Sequence, residues 1–346
     1  MTPPTDTSRL TVAWWRLTEL ADGFLVTQLL YAAAELRLAD VLADGCADGP
    51  AVARAVGADP DAVTRILRGL CAAGVFAETD SGRFSLGPLG EYLRDGVPGS
   101  QRGPILARGA LYYPAAVGLL EAARTGGNAF EQTYGESFFD HLQGNAARRQ
   151  VFEASMAGRA RHEAEAVVAA YDLNGIGHLV DVGAGSGLMA RAALRAVPSM
   201  TATLLDRPAT LDRARAEMAD ADLTERCTFV AADFFASVPG GGDAYLLSRV
   251  LHDWPDQDAV RILRRCRAAM PAHARLLVVD AVMPERARDV PAAIRMDLLM
   301  MLLLGGRERR RDEFGLLFAA SGFSLRRVVA TGSPTGLAVL EVWPAG

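Results

Sequence analysis

Two groups of residues in this 346-residue chain combine side-chain type and spacing in ways that can do chemistry. The first centres on His252, which heads His252-Asp253-Trp254-Pro255 just after the apolar run Tyr245-Leu246-Leu247. Neutral imidazole, with an unperturbed pKa of ~6.5, can take a proton near neutral pH. Two later acids can converge on it: Asp280, closing Leu276-Leu277-Val278-Val279, and Glu308, in Gly305-Gly306-Arg307-Glu308-Arg309. A carboxylate behind a histidine fixes its tautomer and stabilises the imidazolium. The other four histidines lie in helical or loop contexts and read as structural or exposed.

The second group is Val180-Asp181-Val182-Gly183-Ala184-Gly185-Ser186-Gly187. A short apolar run precedes it and a helix-like run follows, the context in which backbone can press against a nucleotide-like ligand. Glycine is needed there because a Cβ would block both the turn and the ligand. The sixth position of a dinucleotide fingerprint is Leu188 here, and Asp181 stands just before the loop. Asp206 closes Thr203-Leu204-Leu205, where an acid can accept from ribose hydroxyls, and Asp233 follows Thr228-Phe229-Val230. Three acids at three strand ends suit a ligand with an ammonium and a sulfonium, S-adenosylmethionine, better than NAD. The alternative is a structural glycine turn with solvated acids.

The two groups fit one reaction. Methyl transfer from a sulfonium needs an oxygen nucleophile in line with the S–CH3 bond. A phenol of pKa ~10 is ~3 units from ionised at pH 7, a handicap of about 4 kcal/mol that a placed base removes. No metal is called for.

The elements that must position these residues follow from periodicity. Strand-like runs at 178–182, 202–206, 227–231, 243–248 and 275–281 alternate with helical stretches, the sign of a parallel sheet. Two last runs, 323–330 and 337–342, are separated by six residues, too few for a crossover helix, so an antiparallel hairpin is expected at the sheet edge. Upstream, residues 1–9 read as a disordered tail. A helical pattern over 10–38 is apolar on most sides (Trp14, Trp15, Leu17, Leu20, Phe24, Leu25), which asks for burial, often by a second subunit. Helices at 50–57 and 60–73 and a β-wing around Ser81-Gly82 form a winged-helix pattern, which raises DNA binding. Residues 1–100 carry 8 Arg against 13 Asp plus Glu, which argues against it.

Bulk properties narrow the class. All 36 basic residues are Arg, so lysine Schiff-base chemistry is excluded. The net charge of -5 offers nothing to nucleic acid or to an anionic membrane. Cys46, Cys71, Cys227 and Cys266 are widely spaced, without a zinc or disulfide pattern. No signal peptide is evident, and the longest apolar run, 298–304, is far short of the ~20 residues that span a bilayer. A cytoplasmic protein is expected.

Together, the segments 180–187, Asp206-Arg207-Pro208, Asp233-Phe234-Phe235, 248–254 and 305–308 resemble the caffeate/acetylserotonin-type class I O-methyltransferases, including their actinobacterial polyketide-tailoring branch. The resemblance covers nearly the whole chain. It implies an α/β fold: a Rossmann-like domain with a seven-stranded sheet over 173–346 and an N-terminal helical, winged-helix dimerisation domain over 10–100. A helical connector over 101–172 would contribute to the acceptor pocket. By matching positions, Asp181, Gly183, Gly185 and Asp206 resemble cofactor ligands, Asp233 and Phe234 would flank the adenine, and Ser248 would lie nearby. His252 matches the general base, and Asp280 and Glu308 match the acids that hold it. Met156, Asp253 and Met300 resemble acceptor-pocket positions, although Met156 equally suits a helix core. Two positions depart from the pattern. Asp280 is often Glu in plant relatives, and Arg310 replaces a Thr that could cap the next helix, at a local cost of ~1 kcal/mol.

The expectation is thus a homodimeric S-adenosylmethionine-dependent enzyme methylating a hydroxyl of a small aromatic or polyketide acceptor. A non-methylating reaction on the same fold (hydroxylation, decarboxylation or pericyclic rearrangement) is the rival in kind. A metabolite-sensing transcriptional regulator is a third reading.

Overall fold

The computed structural model describes residues 6–45 and 47–345. The chain divides into two units, Met1–Pro114 with Leu142–Gly158, and Ala115–His141 with Arg159–Gly346. The stretch 101–172 is therefore shared between the units and forms no body of its own. Its apolar positions serve different cores: Ile105 packs on that of the first unit, while Ala164, Val167 and Tyr171 belong to the sheet core of the second.

In the first unit the expected single helix over 10–38 is two, α1 (Asp6–Ala21) and α2 (Gly23–Glu35), followed by the short α3 (Leu38–Leu42). The break falls at Asp22 and Gly23, a helix-starting residue type followed by the weakest helix former after proline. Of the expected tail, residues 1–5 lie outside the described residues, and the backbone is already helical at Asp6. Trp14, Trp15, Leu17, Leu20, Phe24 and Leu25 are exposed on the single chain. A two-residue strand β1 (Ala47–Asp48), too short to read from sequence, leads into α4 (Gly49–Val56) and α5 (Pro60–Ala72). Asp48 and Asp59 cap these helices, accepting from the N–H groups of Ala51 and Ala62 at 2.7 and 2.8 Å. The wing is β2 (Phe76–Glu78) and β3 (Arg83–Leu86), with β3 between β1 and β2. On α5 and its wing, Arg65 pairs with Asp61 and Arg68 with Glu78. The cations that might have met a phosphate backbone thus face acids.

The second unit is built on β4 (His178–Val182), β5 (Thr201–Asp206), β6 (Cys227–Ala231), β7 (Ala244–Ser248), β8 (Arg275–Ala281), β9 (Phe323–Ala330) and β10 (Leu337–Pro344). Their order is β6-β5-β4-β7-β8-β10-β9. The first five are parallel, and β10 runs antiparallel to both β8 and β9. The strands read as near-continuous apolar runs because both faces are covered. Leu204, Leu246 and Leu277 bury on one side, and Val182, Tyr245 and Val278 on the other. The order reverses between β4 and β7, which are paired neighbours. Open α/β sheets bind ligands at the carboxyl ends of strands flanking such a switch point. Here those ends carry the glycine loop and the His252 turn.

Candidate active site

The glycine loop leaves β4 and is tied to β5: the N–H groups of Gly183 and Ala184 both donate to the Leu205 carbonyl, at 2.9 and 3.1 Å. Gly183 has φ of 75°, and a Cβ there would stand 2.8 Å from a methyl of Val250, on the segment after β7. Gly185 has φ of 58°, and a Cβ there would meet nothing within 4 Å. Its face is open, as a ligand cradle needs. Asp206 secures this shape, accepting from the Gly185 N–H at 2.8 Å and the Arg207 N–H at 2.7 Å. Asp181, on β4, is fully buried, and neither carboxylate oxygen has a hydrogen-bond partner. Burial first, and the nearby Asp206 charge second, push its carboxyl up to about 7. An orphaned buried acid beside an open glycine cradle fits a ligand that brings positive charge.

The remaining expected cofactor positions lie after β6 and at the end of β7. Phe234 is half-buried, 3.7 Å from where a Gly183 Cβ would stand, and meets the Trp254 ring edge-on. Asp233 is exposed, and its carboxylate accepts from the Phe235 N–H at 2.8 Å. Ser248 ends β7 opposite Val279.

His252 lies on a 3-10 turn (Leu251–Asp253) directly after β7 and is 3 % exposed. Its Nδ1 is 2.9 Å from Glu308 Oε1 and 3.7 Å from Asp280 Oδ1, and its Nε2 is 3.3 Å from Asp253 Oδ1. The ring tautomer that suits a carboxylate acceptor at this distance carries its proton on Nδ1. Burial alone would lower the imidazolium pKa, but Asp280, Glu308 and Asp253 outweigh it and raise the ring to about 9. Burial pushes Asp280 up to about 7 against the pull of His252, and both its oxygens lack hydrogen-bond partners. Burial also raises Asp253, the wettest of the three acids, with 19 % of its side chain exposed. Ring nitrogen and carboxylate oxygens of His252, Asp280 and Glu308 lie within 4.8 Å of one another. The positive charge such a group calls for is supplied by the imidazolium and by Arg249.

Several residues that build this site were not singled out from sequence. Arg309, 1 % exposed, binds the carbonyls of Leu251 and Trp254 at 2.7 and 2.8 Å, bracing the His252 turn from both ends. Gly306 is fixed by contact: a Cβ there would lie 2.1 Å from the His252 carbonyl oxygen. The next residue, Arg307, donates its N–H to that same oxygen at 2.9 Å. The Glu308 N–H donates to Asp297. Arg249, just past β7, has a left-handed φ of 56°, which costs a non-glycine residue ~1–3 kcal/mol. Its guanidinium grips both oxygens of buried Glu163, at 2.6 and 3.2 Å, and stands 3.4 Å from Glu308 Oε1. Burial works against ionisation of Glu163, yet Arg249 overrides it and holds that carboxyl below its usual range. The missing Thr cap at Arg310 is half compensated, because its N–H still donates to Glu313 at 2.8 Å.

Of the expected acceptor-pocket positions, Asp253 is at the histidine. Met300 is buried in the helix Pro291–Leu303 of the same unit. Met156 is half-buried in the helix Ala146–Ala170, on the part assigned to the first unit. Among the described cysteines, Cys71, Cys227 and Cys266 are free thiols, and Cys46 lies outside the described residues. No helix among the described residues is long and apolar enough to cross a membrane.

Comparison with known proteins identifies the family. Residues 117–324 match the O-methyltransferase domain family and residues 18–95 the O-methyltransferase dimerisation domain family. The chain is 42% identical over 328 residues to phenazine O-methyltransferase PhzM of Lysobacter antibioticus, covering 95% of each chain. It is 37% identical over 320 residues to aclacinomycin 10-hydroxylase RdmB of Streptomyces purpurascens, covering 90% of this chain and 85% of that one. Among solved structures, mitomycin 7-O-methyltransferase MmcR superposes with a TM-score of 0.93 at 33% identity, over 98% of this chain and 100% of that one. The chain therefore belongs to the class I S-adenosylmethionine-dependent O-methyltransferase family, with its dimerisation domain at the N-terminus.

Proposed function

We propose that this protein methylates a hydroxyl group of a small aromatic or polyketide natural product, with His252 as the base that removes the hydroxyl proton. The observation that carries this reading is the asymmetry of the His252 ring, with Nδ1 2.9 Å from Glu308, so that the ring, once neutral, would present its lone pair at Nε2. Bound S-adenosylmethionine supplies an electrophilic methyl group. Asp181, the glycine loop, Asp206, Asp233, Phe234 and Ser248 would hold it. His252 Nε2 would take the proton from the acceptor hydroxyl, leaving its oxygen free to receive the methyl group. Glu308 and Asp280 stabilise the imidazolium so formed. Asp253 and Met300 are proposed to line the acceptor pocket.

The raised ring pKa sets both strength and availability. Against a phenol of pKa ~10, a base of about 9 is only ~1 unit short, where an ordinary histidine is ~3.5 units short. The neutral ring is then a minor form at pH 7 and grows about tenfold per unit up to 9. Turnover at saturating cofactor should rise with pH over that interval.

Homodimer formation is proposed to bury the exposed apolar residues of α1 and α2. We place the enzyme in the cytoplasm, in keeping with free thiols at Cys71, Cys227 and Cys266. The relative named as a 10-hydroxylase supports a second reading, a non-methylating reaction on the same frame. Incubation with S-adenosylmethionine and a panel of hydroxylated aromatics separates the two. Methyl transfer releases one S-adenosylhomocysteine per product, and product without that release would overturn it.

A further inference from the structure

Arg249 is the charged residue at this site whose backbone is strained, and its contacts give the strain a purpose. The residue directly follows β7, and its N–H donates to the Val279 carbonyl at 2.9 Å, one residue before Asp280. The left-handed turn at φ of 56° ends β7, three residues before His252. Its side chain is 11 % exposed and bridges two buried acids from distant parts of the chain. Glu163 binds the guanidinium through both oxygens, a planar geometry that lysine cannot reproduce. The free edge of the fork faces Glu308 Oε1, the same oxygen that takes the Nδ1 proton of His252.

We propose that Arg249 is a positioning residue for the reaction: clamped by Glu163, it holds Glu308 Oε1 turned toward Nδ1, so that His252 presents Nε2 to the acceptor. The proposal rests on the reading of His252 as the base. The charged groups around the ring are accounted for on every side. Asp253 comes from its own turn, Asp280 from β8 and Glu308 from the segment before the helix Arg311–Ala319. Glu163 and Arg159 come from the helix Ala146–Ala170, and Asp297 reaches the backbone of Glu308 from the helix Pro291–Leu303. Without the guanidinium the existing excess of acids over cations grows. His252 would then hold its proton more tightly, and Glu308 Oε1 would lose the contact that holds it in place.

The test uses the full-length protein labelled with 15N-histidine, with the His252 signal assigned through His252→Gln. In wild type the ring titrates as a single Nδ1–H tautomer. In Arg249→Met the signal should become a mixture of tautomers. The pH-rate limb should move upward by at least half a unit, and turnover at pH 7 should fall at least tenfold. Affinity for S-adenosylmethionine should stay within twofold. Arg249→Lys, which keeps the charge and loses the fork, should restore the titration and only part of the tautomer preference. Should Arg249→Met fail to fold, Arg249→Gly with Glu163→Gln replaces it, since glycine suits the left-handed backbone and no unpaired carboxylate is left behind. A wild-type tautomer and pH limb in either variant overturns the proposal. Full activity of His252→Ala would instead remove the base reading, and the ring signals would still report whether Arg249 orders His252.

Discussion

Buried carboxylates line both the loop after β4 and the turn after β7, but they are balanced differently. After β7, Asp280 and Glu308 share their burial with the His252 ring, and Arg249 stands against Glu308. After β4, Asp181 has neither a cation nor a hydrogen-bond donor, and burial pushes it to about 7. One region carries its own counter-charge. The other leaves an acid to be satisfied by what binds. The contrast fits the proposed division between a base organised before substrate arrives and a cofactor cradle completed by its ligand.

The largest expected effect breaks the self-compensated region. His252→Ala should lower turnover a hundredfold or more while leaving cofactor affinity within twofold, as measured by initial rates and calorimetric titration. Full retained activity would reduce the mechanism to proximity and orientation.

Asp181→Asn addresses the ligand-compensated region. Affinity for S-adenosylmethionine should fall about tenfold, ~1.4 kcal/mol, with the fold intact. Unchanged affinity would mean that the buried acid does not meet the ligand's charge.

A third prediction uses pH to tell the regions apart. Folding raises Asp181 from 3.8 to about 7, so the folded protein holds this proton more tightly than the unfolded chain does. The associated stability is complete below about pH 4 and lost as pH rises through 7. His252, raised from 6.5 to about 9, contributes stability that is complete below 6.5 and lost as pH rises through 9. Thermal melts across pH should therefore show Asp181→Asn flattening the lower window, where Asp280 keeps a share, and His252→Ala flattening the upper one. The same upper window should carry the wild-type rise in turnover. A wild-type rate that is flat from pH 7 to 9 would argue that His252 does not need to lose a proton.

The smallest effect is local. Glu313 still accepts from the Arg310 N–H, so Arg310→Thr should add only the missing half of the cap. The gain should be about 0.5–1 kcal/mol, a rise of a few degrees or less in Tm. No rise would show that the half-cap already suffices.

How far the sequence reaches can be judged from particular residues. The seven strands of the large sheet fall close to where apolar runs place them, and the final hairpin follows from a six-residue connection. His252 and Asp280 were legible because each sits at or near a strand end, and parallel strands bring those ends together, whereas Glu308 lies between two helices and was read from its motif. The helix break at Gly23 and the two-residue β1 were not, since a single glycine and a two-residue pairing leave little periodic signal. Arg249 was hidden for a firmer reason. Nothing in the type of an arginine announces a left-handed backbone, and Glu163 is 86 residues away in an ordinary helical context.

The sequence by itself determined the α/β class, the glycine loop, the placement of acids at strand ends and the one histidine aimed at a ligand crevice. Local patterning and chain connectivity are enough for these. Only the tertiary structure decided which ring nitrogen of His252 meets Glu308, which acids are compensated from within, that Arg309 and Gly306 brace the His252 turn, and that Arg249 bridges Glu163 and Glu308. Those outcomes depend on desolvation and on ångström-scale distances between segments far apart in the chain, which exist only once the sheet has closed over its core.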